Sequence, residues 1–395
     1  MLARERSHAA GAALALPVAE VSLGAADRTV LAQPLVARTD LPPFVTCSVD
    51  GWAVRGAGPW RIVGRVLAGD LAPELREAGT CVQIATGAMV PDGAEQTVRV
   101  EDSAVDGELV SGRPRAEPEW RRPGDESVRG EELMPAGTPV TPGVMGLAAS
   151  CGYDTLPVRP AARAAVLIFG DELLTSGLSG GGRVRDALGP PLPAWLSRLG
   201  ATVSVTAGPV ADTLDAHVAA IGDALVAGVD LICTTGGTMR GPVDHLHPAL
   251  DRLGCQYIVD AVEVRPGFPM LLAAVPRPDG GTALLGGLPG NPQSAIVALL
   301  SLVAPALDGL RGRPLAALPK VRVGGDIGGR GGYTHLALVR RGPDGLAYPV
   351  SHVGSAMLRG LAQAYGFAVI PPSSSAAAGD EVGMVPLPLV EGELP

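Results

Sequence analysis

The chain has 395 residues, 47% of them apolar, and 40 acidic against 31 basic residues give a net charge of −9. That length supports more than one core at roughly 100–200 residues per domain, and the acidic balance argues against nucleic acid or an anionic membrane surface as the main partner. Lys320 is the single lysine, so a cation offered to an anionic ligand is expected to be an arginine.

The opening residues set arginines ahead of an alanine-rich run, but Glu5 lies in the charged part and Pro17 breaks a short apolar stretch. This reads as an N-terminal helix running into structure, not a signal peptide. From Leu41 to Gly152 short β-like pieces ("PWRIVGRVLAG", "TCVQIATGAMV", "QTVRVED", "GTPVTPG") alternate with Gly, Pro and Asp, an all-β or α+β texture with more than one lobe. Within it "DLPPFVTCSVDGWAVRG" (Asp40 to Gly56) enters extended through Pro42 and Pro43 and turns at Asp50-Gly51.

The region from Arg163 to Gly312 changes texture. Short apolar runs ending in glycine or threonine ("AAVLIFG", "ATVSVTAG", "VDLICTTGG") alternate with segments of helical spacing at Ala194 to Leu199, Thr213 to Val226 and His245 to Leu253. Buried strands alternating with amphipathic helices predict a mostly parallel sheet covered on both faces. The apolar run Ala295 to Leu310 is shorter than the ~20 residues a bilayer span needs and holds Ser301 and Pro305, so no membrane partner is expected. After Pro314, strand-like pieces at spacings of about a dozen residues suggest a small C-terminal β-barrel. The fold class expected is multidomain α+β: residues 1–40 with 127–160, a β-rich unit at 41–126, a central α/β domain at 161–313 and a barrel at 314–395.

Cys47, Cys81, Cys151, Cys233 and Cys255 are odd in number and without CxxC spacing. They speak against a disulfide framework or structural zinc and for a reducing cytoplasm.

In a parallel sheet, ligands bind beyond the carboxyl ends of the strands. Three loops are expected there: "FGDEL", with Asp171 and Glu172; "TTGGTMRGPVDHLHPAL", with Thr235, Gly236, Gly237, Arg240 and Asp244 opening the next helix; and "LGGLPGNPQSAIVALL", with Pro289, Gly290, Asn291 as N-cap and Ser294 in the first turn. Taken singly, each is also an ordinary strand-to-helix turn. Together, two acid-bearing loops and one anion-receptive helix start suit a phosphorylated ligand with a divalent cation. "RPGFP" follows an expected strand "YIVDAVEV", and Arg265 can clamp an oxyanion bidentately. His245 and His247, at i and i+2, face different ways on a helix and read as solvated or capping, not metal-binding.

These motifs resemble one family, the molybdopterin molybdenumtransferases, called MoeA in bacteria and represented by the E domain of gephyrin. "PPFVTCSVDGWA" is similar to the family's PPFDNSAMDGYA signature, "ATGAMVPDGAEQTVRVED" to its TGAPVPEGADAVV segment, and "GDEL", "TTGGT" and "LPGNPQSA" match its central domain. The resemblance covers nearly the whole chain. It implies a MogA/MoaB-like central domain and an elongated homodimer whose cleft combines that domain with β modules of the other subunit. The implied reaction inserts molybdate into adenylylated molybdopterin with release of AMP and Mg²⁺ as the cation, with a molybdopterin adenylyltransferase as partner. By motif, Asp50 faces the cleft from the β lobe, Glu172 and Asp244 lie at the nucleotide and metal, and Asp186 in "RDALGP" is a retained acid. Ser294 and the "RPGFP" turn would hold molybdate, approached by Arg330 and Ser355 from the C-terminal module.

Three departures bear on activity. The family's KPGKP turn is RPGFP here, so Phe268 replaces a cation; its DTN is RDALGP, which keeps Asp186 and loses the asparagine; and its SVGEYD is TMRGPVD, which keeps Asp244 and brings in Arg240. Arg240 or Arg265 is expected to supply the missing charge. The alternatives are an impaired paralogue that binds molybdopterin or its nucleotide as a scaffold, and an enzyme of the same scaffold acting on another nucleotide pyrophosphate.

Overall fold

The computed structural model describes residues 1–241 and 244–389. Pro242 and Val243, inside the TMRGPVD stretch, and residues 390–395 fall outside the described residues.

The central sheet is built from Ala162–Phe169 (β1), Ala201–Val210 (β2), Leu231–Thr235 (β3) and Gln256–Asp260 (β4); the two-residue Val264–Arg265 (β5) follows, then Leu271–Pro276 (β6) and Thr282–Leu288 (β7). Its order is β2-β1-β3-β7-β6-β4. The first four neighbours run parallel, and β6 and β4 add an antiparallel edge. Side chains alternate along β1: Ala164, Val166 and Ile168 enter one core, Ala165, Leu167 and Phe169 the other. Apolar residues on both sides of one strand are what a sheet covered on both faces requires. Helices Leu192–Arg198 and Pro292–Leu310 cover the first face, Leu214–Val226 and Leu246–Arg252 the second.

Helix Pro292–Leu310 is longer than the apolar run suggested. At 19 residues and mean hydropathy 1.6 it could cross a membrane by length and composition, but 83% of it is buried inside the protein. It is the core helix of this half of the molecule. A π-helical stretch, Leu299–Val303, precedes Pro305, whose missing N–H cannot sustain the regular ladder. The N-terminal helix, Leu2–Ala13, crosses its end closely: a Cβ on Gly11 would lie 2.0 Å from the Ala306 carbonyl oxygen, and one on Gly309 2.2 Å from that of His8.

Upstream, a six-stranded sheet spans residues 51–112, and a separate three-stranded sheet joins Ala19–Ser22 and Val30–Leu31 to Thr155–Arg159. Downstream, Thr334–Arg341 (β8) pairs with Gly366–Ile370, which continues through Glu381–Pro386 to Lys320–Arg322, while Ala347–Pro349 folds back on β8. An isolated bridge from Val323 to Ala347 links the two ends of this arrangement; a closed barrel would need a full ladder there.

The expected strand "YIVDAVEV" is two strands. It stops after Asp260, Ala261 takes a positive φ of 67°, and β5 pairs in parallel with β8 of the C-terminal sheet. This crossover sets Arg265 on the seam between the two sheets.

Candidate active site

A cavity of about 1500 Å³ opens over the carboxyl ends of the parallel strands and is closed on one side by the C-terminal sheet. It exceeds the roughly 300–1,000 Å³ of a typical small-ligand pocket. Successive strands supply its chemistry in order across the sheet. Asp212 follows β2, Glu172 follows β1, and Asp244 lies beyond Thr235, Gly236 and Gly237 after β3. Pro289, Gly290, Asn291 and Ser294 follow β7 at the start of the long helix, and Arg265 comes from β5. Carboxylates therefore gather beyond β2, β1 and β3, with Arg185 beside them, while an uncapped helix start, Arg265 and Arg330 line the side toward β7 and the C-terminal sheet.

The loops are fixed by their own backbone chemistry. Gly236 and Gly237 adopt φ of 84° and 65°, a conformation that strongly favours glycine. The Asp212 carboxylate accepts the Asp171 amide at 3.2 Å and so ties the loops after β1 and β2 together. Asp186 accepts the amides of Leu188 and Gly189 at 2.9 Å each, so this acid shapes its own turn while lining the cavity. Asp244 accepts the Gly241 amide at 2.9 Å. It does not open the following helix: His245 holds the N-cap position and makes no side-chain cap bond.

Asn291 likewise occupies the N-cap of the long helix without a side-chain cap bond, and its amide group is left to the cavity it lines. The next amide, from Gln293, donates to the Ser355 carbonyl at 2.9 Å, which docks the 353–358 segment over the cavity mouth. Arg330 and Ser355 line the cavity from this side, as do Tyr333 and His335. His335 bonds the Gly328 carbonyl through Nδ1 at 2.7 Å, and desolvation lowers its pKa, favouring the neutral ring.

Three expected residues lie elsewhere, and Asp171, next to Glu172, is one of them: it does not line the cavity. The Arg240 guanidinium is not in the cavity: it donates to Asp260 at 2.6 Å, and Asp260 also bonds His247 Nε2 at 3.0 Å. His247 is thus neither solvated nor a cap; it is buried against Tyr257 and tied to that carboxylate. Asp50 sits in the upstream sheet region, where the Thr86 amide at 2.7 Å and hydroxyl at 3.0 Å bond its carboxylate and hold it below the usual carboxylate range.

Several cavity residues escaped the sequence reading. Asp212 follows "ATVSVTAG", and the carboxyl-end rule extended to that strand would have found it. Arg185 enters on a two-stranded ribbon of Leu173–Leu174 with Val184–Arg185. Tyr333 and His335 carry no local motif, since only pairing of β5 with β8 brings them in. His217 is fully buried behind the floor, stacked on Phe169 at 3.8 Å between centroids, with neither ring nitrogen hydrogen-bonded. All five cysteines are free. Cys233 in β3 has a thiol pushed up to about 12 by burial, which does not suit a nucleophile.

The oxygen donors around Asp212, Glu172 and Asp244 suit a hard cation such as Mg²⁺. Among the described residues no three acidic, histidine or cysteine side chains converge tightly enough to hold a metal by themselves. The donor set therefore fits a cation that is completed by ligand oxygens.

Comparison with known proteins gives a consistent result along the chain. Residues 3–152 match "MoeA N-terminal region (domain I and II)", residues 165–309 "Probable molybdopterin binding domain", and residues 320–387 "MoeA C-terminal region (domain IV)". A molybdopterin molybdenumtransferase of Synechococcus elongatus is 31% identical over 91% of this chain and 92% of its own length. Molybdopterin molybdenumtransferase 2 of Mycobacterium tuberculosis is 34% identical over 74% of this chain and 75% of its own. The crystal structure of a molybdopterin biosynthesis moeA protein from Pyrococcus horikoshii shares the fold, with a TM-score of 0.77 at 24% identity over 97% of this chain and 98% of that one.

Proposed function

This chain belongs to the MoeA family of molybdopterin molybdenumtransferases, and on that premise we propose that its cavity inserts molybdate into adenylylated molybdopterin and releases AMP, assisted by Mg²⁺. The protein is a transferase of molybdenum cofactor biosynthesis. One observation carries the finer reading: a single cavity holds carboxylates beyond β2, β1 and β3 and arginines with a helix start beyond β7 and β5.

The roles follow from that grading. Glu172 and Asp244 would hold Mg²⁺ together with ligand oxygens, and the ion would supply charge neutralisation at the phosphate. Gly236 and Gly237 let the ligand approach the backbone. Ser294, at the start of the long helix, and Arg265 receive molybdate, the anionic substrate, with Arg330 as a second cation. Asp212 and Asp186 hold the loops that carry this geometry. The 353–358 segment covers the mouth and limits water.

Asp50 lies outside the cavity of its own chain, yet its family motif belongs to the cleft. This supports a homodimer in which the partner's β lobe completes the site. A cytoplasmic location and a molybdopterin adenylyltransferase as supplier of the nucleotide complete the reading.

The test is AMP release from adenylylated molybdopterin by purified protein with Mg²⁺, with and without molybdate. Molybdate-dependent release is expected. Tight nucleotide binding without release would replace the transferase with the scaffold reading.

A further inference from the structure

The Arg265 guanidinium carbon lies 4.4 Å from the Tyr333 ring centroid and 5.5 Å from that of Phe268. The two rings meet edge to face, with centroids 6.0 Å apart and planes at 89°. The guanidinium therefore sits in the corner of two perpendicular aromatic walls. Its side chain has no hydrogen bond or ion pair to any other described residue. Arg265, Phe268 and Tyr333 all line the cavity.

Two chain segments build this corner. The register of β5 on β8 sets Arg265 opposite His335, two residues past Tyr333. On the other side the "RPGFP" turn returns over the long helix at Gly267, where a Cβ would meet Met270 and Val297 at 3.0 Å. With no side chain at Gly267, whose φ is 106°, the turn passes close over the helix, and Phe268 follows it beside Arg265.

We propose that Phe268 and Tyr333 are positioning residues for oxyanion binding: they clamp Arg265 so that one oriented guanidinium fork does the work of two flexible cations. This rests on the transferase reading above for the identity of the oxyanion as molybdate. A guanidinium can lay a flat side on only one of two perpendicular rings, so the nearer ring, Tyr333, serves as the stacking face and Phe268 as a flanking wall that limits rotation, which leaves the N–H donors of the remaining edge free. A tetrahedral oxyanion can then take two parallel N–H bonds from an edge that is already aimed. A lysine at 268 would remove one wall and put a second positive charge beside Arg265. Phe268 is, on this account, the partner that makes Arg265 sufficient.

The experiment compares wild type, Phe268→Leu, Phe268→Lys, Tyr333→Leu and Tyr333→Phe. Molybdate affinity is read by titration calorimetry on the full chain, and molybdate-dependent AMP release is read in parallel. Loss of one aromatic wall should weaken molybdate binding about tenfold in Phe268→Leu, Phe268→Lys and Tyr333→Leu. Tyr333→Phe keeps the ring and should bind as wild type, with KM for the nucleotide unchanged throughout. Equal molybdate affinity in all five proteins, tighter binding in Phe268→Lys, or no binding by wild type would each overturn the clamp. Absence of AMP release alongside an intact affinity pattern would instead remove the transferase reading and leave the clamp standing.

Discussion

Arg240 and His247 share one carboxylate. The Arg240 guanidinium donates to one oxygen of Asp260 at 2.6 Å and His247 Nε2 bonds the other at 3.0 Å. Because Arg240 lies on the loop after β3 and Asp260 ends β4, the pair pins that loop to the sheet edge. Arg240→Ala should therefore leave molybdate affinity within about twofold and cost at most about 1 kcal/mol of stability, as expected for an exposed ion pair. Calorimetric titration and urea unfolding of the variant check both halves. A tenfold loss of molybdate affinity would return Arg240 to the anion site.

His217 makes stability depend on pH. Desolvation lowers its pKa from the ordinary value of about 6.5, with Asp212 pulling the other way. The unfolded chain then binds the proton more readily than the folded one, so this residue destabilises the fold progressively as pH falls below about 6.5 and has no such effect above it. His217→Phe keeps the stack on Phe169 and removes the titration. Urea unfolding from about pH 7.5 to about pH 5 should show a shallower fall in the variant than in wild type. Parallel curves would show that His217 does not titrate in this range.

Gly236 tests the cavity floor. With φ of 84° and a would-be Cβ 3.2 Å from the Phe169 carbonyl oxygen, alanine there pays left-handed strain and pushes on β1. Gly236→Ala should lose about 1–3 kcal/mol of stability and weaken nucleotide binding. Thermal unfolding and nucleotide titration report these separately. Unchanged values in both would mean the loop has room to relax.

Much of this architecture is written locally. The apolar alternation of β1 and the glycine pair after β3 mark strand and turn without reference to the rest of the chain, and the carboxyl-end rule then collects Glu172, Asp244 and Ser294 in one place. What escapes is non-local. "YIVDAVEV" looks like one strand because its propensity is continuous, yet it breaks at Ala261 and hands β5 to a sheet whose other strands begin only at Lys320. Tyr333 joins the cavity through that pairing alone. Arg240 reads as a free cation until β4 supplies Asp260, and His247 reads as solvated until the fold buries it against Tyr257 and bonds it to the same carboxylate.

The position of Asp50 leads to the last prediction. Its carboxylate is exposed, is held ionised by Thr86 and lies outside its own chain's cavity. In a two-fold dimer with shared clefts, Asp50 of one subunit would face Glu172 of the other. Asp50→Ala and Glu172→Gln should each abolish most turnover when purified alone. A heterodimer of the two variants would then contain one cleft with both defects and one with neither, giving about half of wild-type turnover per dimer. Differently tagged subunits, co-purified and assayed for molybdate-dependent AMP release, measure this directly. If Asp50 acted within its own chain, each cleft would carry one defect and the heterodimer would be as inactive as its parents. Recovery near half, set against no recovery, decides which chain completes the site.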